Sequence, residues 1–423
     1  MKKKRLAIIT LLMLMSIIFV GCGKAGEKTE EKVDSQTENP EVENGIVTLR
    51  LWGGEADQAI LADMVESFKV EYAGEAQFDI TIEPQSESTA RDNLLGDVQN
   101  GADVFTFADD QLLTMVAAGA LVKVDNTDQV KNANIEGAVS AVTVRDSLYA
   151  YPMTADNGYF MYYDKSIFTD EDVKSLEKML DKAAQANKKI AMDWTSGWYL
   201  YSFFGNESMN LSLNDDGITM TCDWNTTQGE IKGVEIANSM LNIAKNSGFT
   251  NMNNEDFING VKAGRVAAGV SGVWDATAIK AAWGNNFGAV KLPTYKVAEK
   301  DVQMASFSGY KMVGVNAYSD HPEWGLRLAD WITNEQNQKL RFTQREQGPS
   351  NKNAASSDEV KNALAIQAVL AQSEFATLQR VGNSYWGPMQ TLGETLAAGN
   401  PKGTNLQELM DSIVAEITAS AVK

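Results

Sequence analysis

From residue 46 onward the chain alternates short β-branched runs with amphipathic stretches. Residues 46–52 are apolar and β-branched and break at Gly53-Gly54, which predicts a strand. Ile60, Leu61, Met64, Val65 and Phe68 then recur at helical spacing and mark one buried face. Phe78-Asp79-Ile80-Thr81-Ile82 alternates as a second strand and stops at Pro84. Leu94, Leu95 and Val98 predict a short helix, residues 102–107 a third strand, and a further helix ends near Gly119. Strand and helix in turn imply a parallel or mixed sheet covered on both faces. Ligands of such sheets sit beyond the strand C-termini, where Trp52-Gly53-Gly54-Glu55 and Phe107-Ala108-Asp109-Asp110 both fall.

A boundary follows at Tyr151-Pro152, because proline pushes its predecessor out of helix. Beyond it, residues 159–163 read as an aromatic strand, 173–186 as helix, 190–192 as strand and 231–244 as amphipathic helix, while 194–204 is densely aromatic. A strand of small residues, 266–270, delivers Gly272-Val273-Trp274-Asp275. Val290-Lys291-Leu292-Pro293 looks like a second crossing between lobes. Strand character resumes at 313–315, helix at 323–333, and Gln347-Gly348-Pro349-Ser350 is a third loop. The tail from 358 to 423 is helical, broken at Gly387-Pro388 and Gly399-Asn400-Pro401.

The start of the chain follows another rule. Lys2, Lys3, Lys4 and Arg5 precede an uncharged apolar stretch from 6 to 20, which closes Phe19-Val20-Gly21-Cys22. A basic start, an apolar core and a small residue before the cut form an export signal. The stretch is shorter than the roughly 20 residues of a membrane-spanning helix. Its ending resembles the cleavage box of bacterial lipoproteins, which implies a signal peptide over 1–21 and a diacylglyceryl group on Cys22. An ordinary secretory signal or an uncleaved anchor is the alternative. Residues 22–44 carry no aromatic side chain and alternate acidic with basic groups, so they cannot bury enough surface to offset ordering and are expected to be a disordered tether.

Composition narrows the function. The body is too long for one comfortable core, so two lobes are expected. Removing residues 1–21 takes away four basic and no acidic residues, leaving 33 basic against 56 acidic and a net charge of −23. Such a balance repels nucleic acid. His321 is the only histidine, which excludes histidine-based triads and multi-histidine metal sites; no metal or cofactor is expected. With Cys22 lipidated, Cys222 has no partner and reads as a small buried hydrophobe.

Four segments together resemble the solute-binding proteins of carbohydrate ABC importers, nearest the maltose/maltodextrin-binding family: residues 102–110 (ADVFTFADD), 148–153 (LYAYPM), 265–274 (RVAAGVSGVW) and Leu292-Pro293-Thr294. The resemblance covers the whole body and implies an α/β, two-lobed, periplasmic-binding-protein-like fold with three inter-lobe crossings around a cleft. The lobes it implies are discontinuous, 45–154 with 293–345 and 155–292 with 346–423. Its implied partners are a maltose or maltodextrin ligand, captured by hinge closure, and the transmembrane subunits of an ABC permease. The membrane is reached through the lipid anchor, and the chain is expected to be a monomer.

Sugars present apolar C–H faces and hydroxyls, so their sites combine flat aromatic surfaces with planar polar groups. The resemblance puts Trp274 and Trp386 on stacking positions, Trp386 beside Tyr385. Trp198 and Tyr199 fall on a sugar-stacking pair, and Phe107 replaces a family tryptophan. Asp110 and Asp156 take acidic positions, and Glu55 and Asp57 occupy the first loop. The alternative for each aromatic is a place in the core, and for each carboxylate a solvated surface charge. Trp52, Trp324 and Trp331 read as packing residues. Charged family positions are neutral here: Gln111 and Gln390 stand for arginines and Ser196 for a glutamate, which leaves chain length and linkage open. A different oligosaccharide, β-linked or plant-derived, is the alternative ligand. A glycoside hydrolase would need two carboxylates across the bond, and adjacent Asp109 and Asp110 are not such a pair if they continue a strand, where neighbours point to opposite faces. No catalytic residue is expected.

Overall fold

The structure is a computed structural model that describes residues 45–214 and 218–419. The signal, the tether and Cys22 lie outside the described residues.

Two five-stranded sheets repeat one pattern. In the first the order is Gln77–Pro84, Ile46–Gly53, Val104–Ala108, Lys311–Val315 and Tyr151–Thr154. The first three strands run parallel and the last two pairings are antiparallel. In the second sheet the order is Phe249–Asn251, Lys189–Met192, Val266–Ser271, Phe160–Asp164 and Phe287–Val290, again three parallel strands followed by two antiparallel pairings. The strand Val104–Ala108 is apolar on both faces, as a sheet covered by helices on both sides requires. The helix Gln58–Glu71 covers one face through the predicted Ile60, Leu61, Met64, Val65 and Phe68. Pro322–Thr333 adds Trp324 and Trp331, which pack edge-on against Phe68 as part of the first core.

Each sheet has its own core. Leu49, Val104, Phe105, Met312 and Val313 belong to the first. The second lobe is built from two clusters, one around Trp194, Trp224 and Tyr385 and one around Phe160, Tyr162 and Ile366. The densely aromatic stretch becomes the helix Gly197–Phe204, which supplies Leu200, Phe203 and Phe204 to that core.

The second crossing lies later than residue 293. Tyr295, Val297 and Val302, on the hairpin Thr294–Val297 and Lys300–Gln303, are buried in the second core together with Phe307. The passage into the first sheet therefore comes at Gly309 and Tyr310, between the strands Ser306–Ser308 and Lys311–Val315. The Leu-Pro-Thr segment marks the entry to this hairpin and not the change of lobe. The third passage also falls later than 345. Ser350 and Asn351 still bond to Asn134 and Gln338 of the first lobe, whereas Val360 packs in the second.

Candidate functional site

A cavity of about 1030 Å³ opens between the two sheets. Sites for small ligands span roughly 300–1,000 Å³, so this one has room for several sugar rings. It is lined from the first lobe by Glu55, Asp57, Glu87, Arg91, Asp110 and Lys311, and from the second by Trp198, Tyr199, Asn254, Trp274, Gln379 and Trp386. Glu55, Asp57, Asp110 and Trp274 sit just past the C-terminal end of a parallel strand, in the turns Glu55–Asp57, Asp109–Gln111 and Val273–Asp275.

Three tryptophans make the second-lobe wall. Trp274 follows Val266–Ser271 in its turn, half-buried. A side chain on Gly272 would run into its indole ring and the Gly158 carbonyl, so that glycine allows the ring to lie flat across the backbone. Trp198 stands 5.8 Å from Trp274, centroid to centroid, at 38°. Its backbone carbonyl accepts from the Tyr159 hydroxyl at 2.8 Å, which pins the start of this helix to the first crossing. Trp386 opens the helix Trp386–Ala397 and rests edge-on against Tyr385 at 5.0 Å.

The first-lobe wall is polar. Asp57 is buried, pairs with Arg341, and accepts from Arg345 Nε at 3.0 Å. Burial pushes its pKa up, but Arg341, Lys311 and Arg345 outweigh that, and the carboxyl stays below its ordinary value. Asp110 has no such partner. Burial, then the charge of Asp109, raises its pKa to about 7. Asp110 Oδ1 and Trp198 Nε1 are buried and find no hydrogen-bond partner in the structure, an acceptor on one wall and a donor on the other. A buried polar atom left unpaired costs about 1–3 kcal/mol, which a hydroxylated ligand can recover.

Lys311 bridges the walls. It is nearly buried, lies 3.7 Å from Glu87 and sits 5.4 Å from the Trp274 ring centroid. Gln111 also lines the cavity, but its side-chain amide is already engaged. Its side chain accepts from the Arg91 amide at 2.8 Å and donates to the Glu87 carbonyl at 2.5 Å, holding the 87–91 loop in place.

Of the expected ligand residues, Glu55, Asp57, Asp110, Trp198, Tyr199, Trp274 and Trp386 line the cavity; Phe107, Asp156 and Tyr385 do not. Phe107 is fully buried and packs 5.3 Å from Phe105, since residues two apart on a strand share a face. Tyr385 is fully buried and its hydroxyl donates to the Gly197 carbonyl, so it supports Trp386 from behind. Asp156 is buried in the first crossing and accepts from the Gly348 amide, tying that crossing to the third loop. Gln390 is exposed on its helix and donates to Glu394, outside the cavity.

Sequence reasoning missed Glu87 and Lys311. Glu87 lies beyond the second strand's end, so the strand-end rule could have found it. Lys311 begins an antiparallel strand, and its register partner is Ala108, the last residue of Val104–Ala108. A rule that looks only past C-terminal ends does not reach it. Among the described residues no cluster of His, Cys, Asp and Glu could hold a metal, and no helix is long and apolar enough to cross a membrane.

Comparison with known proteins gives a consistent result. The family model described as bacterial extracellular solute-binding protein matches residues 63–368. A galactooligosaccharide-binding protein of Bacillus subtilis is 25% identical over 413 residues, 92% of each chain. A maltooligosaccharide ABC transporter solute-binding lipoprotein of Streptococcus pneumoniae is 24% identical over 417 residues, 92% of this chain and 91% of the relative. Among solved structures, a maltodextrin-binding protein from L. casei BL23 without ligand superimposes with a TM-score of 0.73 at 26% identity, covering 89% of this chain and all of that one. The two-lobed architecture, the cleft and the family match agree: this chain belongs to the bacterial extracellular solute-binding proteins.

Proposed function

We propose that this chain is the substrate-binding lipoprotein of an ABC importer, that it captures maltose and longer maltodextrins, and that it delivers them to a membrane permease without chemical change. The single observation that carries the reading is the pairing of walls: Trp198, Trp274 and Trp386 face Asp110, Glu87 and Lys311 across one cavity. Tryptophan faces cover the C–H faces of glucose rings, while carboxylates accept short charge-assisted bonds from adjacent hydroxyls. Closure favours ligand because a sugar between the walls contacts both lobes. Relatives and structural neighbours named for maltooligosaccharides support the α-glucan, and the pneumococcal relative supports the lipid anchor at Cys22. A role in binding without catalysis is supported by the family and by the relatives, which are named for binding and transport and not for a reaction.

The Bacillus relative gives weight to one other ligand, a galactooligosaccharide. Titrating tryptophan fluorescence with maltotriose, a galactotriose, xylotriose and cellotriose separates the two. Saturable change with maltotriose alone is expected. No response to maltotriose, with a response to another trisaccharide, replaces the α-glucan. A reducing-end assay after incubation with maltoheptaose is expected to detect no cleavage.

A further inference from the structure

One ion pair with a buried carboxylate crosses the hinge. Asp109 follows the first-lobe strand Val104–Ala108, and Arg380 follows the strand Ala376–Leu378 of the second lobe. Arg380 Nη1 donates to both the carbonyl and Oδ2 of Asp109 at 3.4 Å. The Asp109 side chain is 1% exposed and that of Arg380 33%. Asp109 is fixed on the other side as well: its amide donates to the Tyr310 carbonyl and its Oδ1 accepts from the Tyr310 amide, both at 3.0 Å.

The same carboxylate touches a second passage. A Cβ on Gly309 would fall 2.5 Å from Asp109 Oδ1 and 3.3 Å from Asn157 Nδ2. Glycine is required there because the carboxylate occupies the space a side chain would take. Asp109 therefore sits where the first crossing (Asn157), the second crossing (Gly309 and Tyr310) and the second lobe (Arg380) meet. Its chain neighbour Asp110 and Arg380's neighbour Gln379 both line the cavity. The pair thus lies beside the cavity and ties one lobe to the other there.

We propose that Asp109 and Arg380 form a cleft-side clasp that raises the population of the closed state and orients the turn carrying Asp110. Arg380 is a positioning residue: it acts on the ligand through Asp109 and the hinge. A protein whose competent state is only partly populated binds with its intrinsic affinity reduced by that fraction. Losing the clasp therefore weakens binding without removing any ligand contact. The inference rests on the reading of this chain as a hinge-closing sugar-binding protein.

The test compares the full chain with R380Q, R380K and D109N, using maltotriose for calorimetry and small-angle scattering of the unliganded protein. R380Q is expected to bind about 10-fold more weakly, within the usual span of coupling between sites. Its unliganded radius of gyration rises, and its thermal midpoint falls because the buried Asp109 carboxylate loses its partner, so affinities are compared well below the melting range of both chains. R380K restores most of the affinity, because the charge is kept. D109N weakens binding in the same direction, and R380Q with D109N together lose less than the sum. Equal affinity and equal radius for R380Q and the unchanged chain overturn the clasp, as does R380K behaving like R380Q. Scattering needs no sugar, so if maltotriose fails to bind at all the ligand assignment fails while the radius still decides the clasp.

Discussion

Lys311 of the first lobe places its ammonium 5.4 Å from the ring centroid of Trp274 of the second. The Trp274 ring is therefore held in part by a cation from the opposite wall, which also lies 3.7 Å from Glu87. A cation over an indole contributes about 0.5–2 kcal/mol depending on how dry it is. Lys311→Met keeps the length and removes the charge. It is expected to weaken maltotriose binding about 3- to 10-fold by calorimetry, whereas unchanged affinity would mean that Trp274 needs no support from Lys311.

Trp274→Ala and Trp386→Ala test the aromatic wall directly. Burying a large apolar side chain against ligand is worth about 1.5–3 kcal/mol, and 1.4 kcal/mol is tenfold. Each variant is expected to lose tenfold or more in affinity with its fold intact by circular dichroism. Phe107→Leu, in contrast, alters the first core and leaves affinity near that of the unchanged chain.

That contrast shows what could be read from the residues alone. Seven of the ten sheet strands and most of the covering helices follow from periodicity and from glycine and proline breaks, whereas Tyr151–Thr154, Phe249–Asn251 and Phe287–Val290 do not stand out. Trp274 was accessible because a strand of small residues delivers it to an open end. Phe107 was not, because its strand is apolar on both faces and such a run does not say which side chains face the cleft. Its alternation with Phe105 is the cue that places it inside. The second crossing was misplaced because Leu292-Pro293 carries the local signature of a passage, while the hairpin after it is held by contacts distant in sequence. Lys311 and Arg380 act across the hinge, and no local pattern encodes a partner on another lobe.

Asp57 and Arg341 govern stability more than recognition. Both side chains are nearly inaccessible, at 4% and 1%. Removing one member of a buried pair costs about 3–5 kcal/mol, because the other charge is left stranded. Asp57→Asn is expected to lower the denaturant midpoint accordingly with an unchanged slope. Because the folded pKa of Asp57 lies below its ordinary value, its ionisation stabilises the fold above about pH 4 and that contribution fades as pH falls through the folded value. Chains carrying Asn at this position should lose less stability on acidification.

Asp110 has the opposite sign. Burial and Asp109 raise it to about 7, and burial raises Asp109 to about 6. Between an unfolded value near 3.8 and these folded values, the folded chain holds protons that the unfolded chain has released. The stability this gives is complete at the acid end and is lost as pH rises towards about 7. The difference in stability between Asp110→Asn and the unchanged chain should therefore shift in favour of the variant from pH 5 to 7.5, by thermal melts at each pH. A pH-independent difference would rule out titration of Asp110 in that range.

Cys22→Ser addresses the anchor. Cells expressing it should show the protein in the medium or as an unprocessed precursor, while the unchanged chain fractionates with membranes. Membrane association equal to that of the unchanged chain would point to an uncleaved signal as the anchor.

The hairpin 294–303 has a use of its own. Its tip, Ala298 and Glu299, is exposed and carries positive φ at both positions, while Tyr295, Val297 and Val302 root it in the second core. Cutting the gene at residue 293 would tear that core, so half-molecules divided there should not fold. Opening the chain at the tip breaks only a two-residue turn. New termini or an inserted reporter domain placed at Ala298-Glu299 would sit on a hairpin rooted in the second core, where the proposed closure around a sugar could be read as an optical signal.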